Sequence, residues 1–425
     1  MKKHVSFLMI LFLLLLTACS GNSESSGTEK NEDGGEASGE EVTLSYAIWD
    51  KNQAPAMESI AEKFTEQNPN IKVKVEVTPW DQYWTKLETA AAGGSLPDLF
   101  WLNASNIQKY AKGKVISPIT EYGADTSVYP QALVDTYTVD GELYALPKDY
   151  DTIGLWYNKE LFDAAGLTYP DDTWTWDTVI ESAKKLTNEE EGVFGFAAAL
   201  ENQSGFYNTV YQAGGYIVND EKTKAGHSEA ASIKGLKFFT DMIHEHKVSP
   251  TQAQMTDTPA ATLFESGKVA MMFAGSWMQI QFAQNEYTRD VVDVTVLPQG
   301  EKRAVLIHGL GNVVAANTKH PEEAAKFSLF LGSEEAHKIQ AETGTVIPAY
   351  EGTQEAWVQS NENFNLQVFI DSAEFSVPYP ATIETRKWQQ IETDILTKAW
   401  AGEISIEEAA KQIAEGTDEV LSQEK

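Results

Sequence analysis

Beyond residue 41 the chain switches repeatedly between two hydrophobic periods. Val42 to Trp49 reads as an apolar strand. Met57, Ile60, Ala61 and Phe64 then recur at helical spacing up to Gln67, with Pro55 placed for a helix N-terminus. Ile71 to Val77 returns to alternation, with Val73, Val75 and Val77 set against Lys72, Lys74 and Glu76. Strand, helix and strand in that order predict a parallel α/β unit. Ligands of such sheets bind beyond the carboxyl ends of the strands. Trp49 and Asp50 stand at the first of these ends. After a helix from Trp80 toward Ala92, a short strand from Leu99 to Leu102 brings Trp101 and Asn103 to a second.

Further on, the pattern predicts a helix through Val179, Ile180 and Ala183, a strand from Gly192 to Leu200, and a polar loop at Glu201–Gly205. Helices follow at Phe206–Ala213, which carries Tyr207, and at Ser228–Glu245. A helix-then-strand from Leu263 to Phe273 leads into Gly275-Ser276-Trp277. The tail from Pro380 to Leu421 reads as mostly helical, with Arg386 and Trp388 near the start of its first long helix.

Three stretches break this regularity. The first, Gly141 to Asn158, starts as an Asp140-Gly141 hairpin turn and continues as a strand through Tyr144, Ala145 and Leu146. Pro147 cuts that strand. The chain turns polar from Lys148 to Asp151 and apolar again from Ile153 to Tyr157. Proline removes a ladder donor, so the backbone is expected to leave one sheet here and enter another. Leu306 to Ala315, apolar and broken by Gly, predicts a second crossing, and Gly344 to Ile347 before Pro348 a third. Crossings of this kind mark the mouth of a cleft between two lobes, and 425 residues are too many for one ordinary core.

The N-terminus has its own signature. Lys2 and Lys3 precede an apolar run from Val5 to Leu16, too short for a permanent span but fitting a secretory leader. Leu16-Thr17-Ala18-Cys19 follows and resembles the bacterial lipobox, which implies cleavage before Cys19 and its lipidation. Ser20 to Glu41 is polar, acidic and nearly free of apolar residues, and predicts a flexible tether with a reach of about 25 Å. The domain assignment is therefore a leader at 1–18, a tether at 19–41, one lobe from 42–149 with 306–348, and a second from 150–305 with 349–425.

A formal charge of −31 argues against a nucleic-acid partner, which requires clustered Lys and Arg. The single cysteine, Cys19, permits neither an internal disulfide nor a Cys-based metal site, and His244 and His246 point to different helix faces. No metal and no cofactor is expected. Eleven Trp suggest stacking surfaces beyond core needs.

From Val42 onward the chain resembles the extracellular solute-binding proteins, the sugar-binding lipoproteins of ABC importers that include maltose-binding protein. The resemblance is carried by WDQYWTKLETAAAGGSLPDLFW (Trp80–Trp101), GELYALPKDYDTIGLWYNKELFDAAG (Gly141–Gly166), FESGKVAMMFAGSW (Phe264–Trp277) and GEISIEEA near Gly402. It implies an α/β, two-lobed periplasmic-binding-protein fold of type II. Three crossovers near Asp149, Ile307 and Pro348 would join the lobes, with the ligand cleft at the hinge. By the same resemblance Trp277 is the sugar-stacking aromatic of the second lobe and Asp151 the acid past the first crossing. These two are expected to contribute most. Trp49, Asp50, Trp101, Arg386 and Trp388 follow from the same resemblance, and Asn103 and Tyr207 complete the candidate ligand set. The aromatic-to-carboxylate spacing in the first-strand loop is shorter than in maltose-binding protein. The carboxylate expected after the second aromatic is replaced by Asn103, Ala104 and Ser105, which argues against maltodextrin specificity. The implied partners are a sugar or oligosaccharide, the permease subunits of an ABC importer and a lipid anchor, for a monomer that is not an enzyme.

Two other functions fit the composition. A secreted carbohydrate-active hydrolase needs two carboxylates across a sugar bond, and 63 acidic residues leave that open. No GxSxG, HExxH, Walker loop or full GxGxxG is present, and the run at His308 lacks the third glycine. A lipoprotein that binds a peptide is the other.

Overall fold

The computed structural model describes residues 41–424; the leader, most of the tether and Cys19 lie outside the described residues. The Val42–Ile48 strand pairs in parallel with Ile71–Val77 on one side and with Leu99–Asn103 on the other. The Ala54–Gln67 helix connects the first two, with Pro55 in its first turn, and buries Met57, Ile60, Ala61 and Phe64 against the sheet. Full burial of a large apolar side chain is worth roughly 1.5–3 kcal/mol, so this one face does much to hold the helix in place. The outer strand is half-solvated, with Lys72, Lys74 and Glu76 turned away from the core and Val77 exposed at its end.

The sheet runs in the order Ile347–Pro348, Pro147–Asp151, Val305–Ala315, Leu99–Asn103, Val42–Ile48, Ile71–Val77. Leu99–Asn103 is central, and all five of its residues are buried. The Val305–Ala315 strand is the long girder. Its start pairs with Ser376–Pro378, its middle with Pro147–Asp151, and its later part with Leu99–Asn103. A second, antiparallel sheet runs Val292–Val296, Ile153–Asn158, Met271–Gly275. The two sheets are the cores of the two lobes.

The Asp140-Gly141 turn forms as expected. Both residues have positive φ (53° and 83°) between Thr138–Val139 and Glu142–Leu143, as a two-residue hairpin loop requires. The segment after it differs from expectation. Tyr144 to Leu146 is not a strand, and the polar Pro147–Asp151 is one, pairing with Val305–Ala315 and Ile347–Pro348. Pro147 opens this strand, where its missing N–H costs least. The change of sheet falls on Thr152 alone, fully buried, whose hydroxyl donates to the Phe369 carbonyl at 2.7 Å.

The strand expected over Gly192–Leu200 is reduced to isolated bridges at Val193, Phe194 and Ala197. Its backbone donors go partly to side chains: Gly195 N–H to Thr187 Oγ1 and Ala198 N–H to Ser249 Oγ. A ladder cannot continue through donors used in this way.

Candidate functional site

A cavity of about 410 Å³ opens where the two sheets meet. Trp49, Asp50, Gln53, Trp80 and Asn103 line it from the side of the larger, mixed sheet, and Gln203, Ser276 and Trp277 from the other lobe. Asp149, Tyr150, Asp151, His308, Leu310 and Val346 come from the crossing segments. Trp49, Asn103 and Ser276-Trp277 follow or end the carboxyl ends of their strands, where open α/β sheets gather ligand contacts.

Local chemistry fixes each wall. Trp49 stands edge-on to Trp101 (5.0 Å, 89°) and to Trp80 (5.2 Å, 75°), with Tyr83 and Trp84 completing the cluster. Trp80 remains about half exposed (49 %), so the cluster presents an aromatic surface to the cavity. Opposite, Trp277 is 36 % exposed. It follows Gly275 and Ser276, and the Ser276 N–H donates to the Thr152 carbonyl at 3.1 Å, tying the Trp277 turn to the crossing. The Asp50 carboxylate is held by the Gln53 amide (3.0 Å) and the Asn52 N–H (2.8 Å). Asn103 accepts from Asn106 at 2.7 Å.

The crossing segment carries the charge. Lys148 is fully buried, 2.6 Å from Asp149 and 2.7 Å from Gln53 Oε1, with its ammonium 4.6 Å from the centre of the Trp101 ring. Asp149 also accepts the Leu310 N–H at 2.9 Å. Asp151 accepts from Gln203 Nε2 at 2.7 Å, and its other oxygen is 3.9 Å from His308 Nδ1. Burial in the cleft, and then the charge of Asp149, push the Asp151 carboxyl well above its ordinary value, against the Gln203 bond. Burial pushes His308 down to about 4, so its imidazole is neutral at pH 7 and makes no ion pair with Asp151. The cavity lining thus holds three aspartates, Asp50, Asp149 and Asp151, the second balanced by Lys148, and no Lys or Arg of its own.

Of the residues singled out in the sequence, Trp49, Asp50, Asn103, Asp151 and Trp277 come together in this lining. Four do not. Trp101 lies fully buried in the central strand and supports Trp49 from behind. Tyr207 is fully buried, and its hydroxyl donates to Glu392 at 2.8 Å; His227 meets the other Glu392 oxygen at 2.7 Å. Trp388 is fully buried on the inner face of its helix, with its indole N–H on Thr382 Oγ1 at 3.0 Å. Arg386 is exposed, with its guanidinium 5.3 Å from the Trp84 ring, beside the aromatic cluster and outside the cavity. Residues not singled out for the site include Gln53, Trp80, Asp149, Gln203 and His308. The Glu201–Gly205 stretch, expected as a loop, folds as a π-helical turn over Asn202–Phe206, and nothing in the pattern says that Gln203 turns back onto Asp151.

A family profile described as bacterial extracellular solute-binding protein matches residues 50–338. The chain belongs to that family. Among its relatives, the galactooligosaccharide-binding protein of Bacillus subtilis is 23 % identical, the match covering 97 % of this chain and 96 % of that protein. The maltodextrin-binding protein MdxE of the same organism is 24 % identical, over 85 % of this chain and 84 % of the other. Among solved structures, an ABC substrate-binding protein from Listeria monocytogenes in complex with cycloalternan superposes with a TM-score of 0.85 at 26 % identity, covering 90 % of this chain and all of that one. The two-lobed architecture is that of these proteins.

Proposed function

We propose that this protein captures a neutral sugar or oligosaccharide between its lobes and hands it to the permease of an ABC importer. One observation carries the reading: Trp277 on one lobe and the Trp49–Trp80 pair on the other border the same cavity, whose remaining walls supply Asp50, Asn103, Asp151 and Gln203. A sugar has apolar C–H faces and a rim of hydroxyls. Indole rings cover the faces with little loss of conformational freedom. Carboxylates and amides take the hydroxyls in pairs. A ligand touching both lobes favours the closed arrangement, and closure is the state a transporter can read. Acidic walls with no free cation disfavour anionic ligands. Relatives with oligosaccharides in their names support the class of cargo.

The boundaries 42–149 with 306–348 and 150–305 with 349–425 are proposed for the lobes, and anchorage through a lipidated Cys19 for the location. Capture without catalysis is favoured by the relatives, which are binding proteins by name. Asp151→Ala and Trp277→Ala are each expected to weaken the true ligand by about tenfold or more, or about 1.4 kcal/mol, in calorimetric titration. Unchanged affinity in both variants overturns the assignment of the site.

A further inference from the structure

Arg386 stands in the first turn of the Thr385–Trp400 helix, exposed and outside the ligand cavity. That helix is fastened into the second lobe. The Tyr207 hydroxyl donates to its Glu392, and its Trp400 indole N–H donates to the Ala198 carbonyl at 3.0 Å. It also packs on the Ala104–Lys112 helix of the first lobe. There the Arg386 guanidinium reaches the Trp84 ring, 5.3 Å from its centre. Trp84 is buried, 5.3 Å from Trp80 and 5.6 Å from Trp49, the two rings that border the cavity. Tyr110 of the same lobe has its hydroxyl buried without a hydrogen-bond partner. Burial pushes that hydroxyl up to about 12, Glu88 adds to the rise and Arg386 opposes it, so the guanidinium's charge is felt there too.

A cation is attracted to the face of an aromatic ring. Here ring and cation come from different lobes, so opening the cleft separates them. Resting on the capture reading above, we propose that Arg386 is a positioning residue for capture. It clasps the closed lobes from outside the cavity and, through Trp84, braces the Trp49–Trp80 wall. The residence time of the ligand then depends on a contact that the ligand does not make.

The test is stopped-flow binding and release on the full chain, with gluco-, galacto-, arabino- and manno-oligosaccharides of two to four units. Arg386→Ala is expected to raise the dissociation rate about fivefold and leave the association rate within about twofold of wild type. Arg386→Lys keeps a cation and is expected to restore most of the loss. Added to Trp84→Leu, Arg386→Ala is expected to change release by less than about twofold, because the two share one contact. A ligand-free measurement separates the clasp from the cargo. Single-molecule energy transfer between dyes on Glu58→Cys and Glu415→Cys, both exposed helix positions, reads the closed fraction in a Cys19→Ser background. Arg386→Ala is expected to lower that fraction about fivefold as well. Unchanged release of a sugar that binds overturns the clasp and leaves sugar capture standing. If no sugar binds, the cargo reading falls and the closed fraction decides alone: a fall supports the clasp, and no change overturns it.

Discussion

A Cβ on Gly275 would stand 1.9 Å from a ring carbon of Trp277. The indole that faces the cavity therefore rests directly on the strand end that precedes it, in space that only glycine leaves. Gly275→Ala is expected to push the ring off this seat and weaken sugar binding by about tenfold, close to the effect of Trp277→Ala. A fluorescence titration measures this. Wild-type affinity in Gly275→Ala would show that the seat does not matter.

Lys148 and Asp149 form a buried pair in which each is the other's main compensation. Removing one partner of such a pair leaves an uncompensated charge and costs about 3–5 kcal/mol. Lys148→Met is expected to destabilise the protein on that scale in urea unfolding. A loss below about 1 kcal/mol would mean that the pair contributes no more than a surface one.

Asp151 gives a signed pH dependence. Its carboxyl lies well above the ordinary value in the folded chain, chiefly through burial. The folded state therefore keeps a proton that the unfolded chain releases near pH ~4. Stability from this group is greatest below the unfolded value and falls as pH rises through the folded one. Asp151→Asn removes the dependence, so melting curves should show the variant gaining on wild type from about pH 4 upward. A constant difference across that range contradicts the assignment.

Tyr207 separates support from contact. Tyr207→Phe takes a donor from the buried Glu392 carboxylate and is expected to cost about 1–3 kcal/mol. Because Tyr207 is absent from the cavity lining, sugar affinity should stay within about twofold of wild type. A large loss of affinity without a loss of stability would place Tyr207 in the site after all.

The parallel unit was legible because its periods are clean. Ile71–Val77 alternates and Met57–Phe64 repeats at helical spacing, and both formed as read. The strand ends at Trp49 and Asn103 pointed to the cavity for the same reason, since strand direction decides where loops gather. Pro147 misled, because a proline that begins a strand and one that ends a strand look alike until the partner strand is known. Trp101, Tyr207 and Trp388 show a second limit: an aromatic at the right place in a motif can face the core or the cleft, and one residue's periodicity does not choose. Gln203 and His308 reach the site from turns and crossings, through tertiary contacts with Asp151 that no local pattern encodes.

The most direct test of the central claim is thermal unfolding of the full chain against a panel of neutral mono- and oligosaccharides. A ligand at about a hundred times its dissociation constant adds about 2.7 kcal/mol, seen as a rise of a few degrees in the midpoint. Such a rise is expected with at least one sugar, with that sugar recovered intact. No rise with any sugar contradicts capture of a sugar, and a sugar consumed in the assay contradicts capture without catalysis.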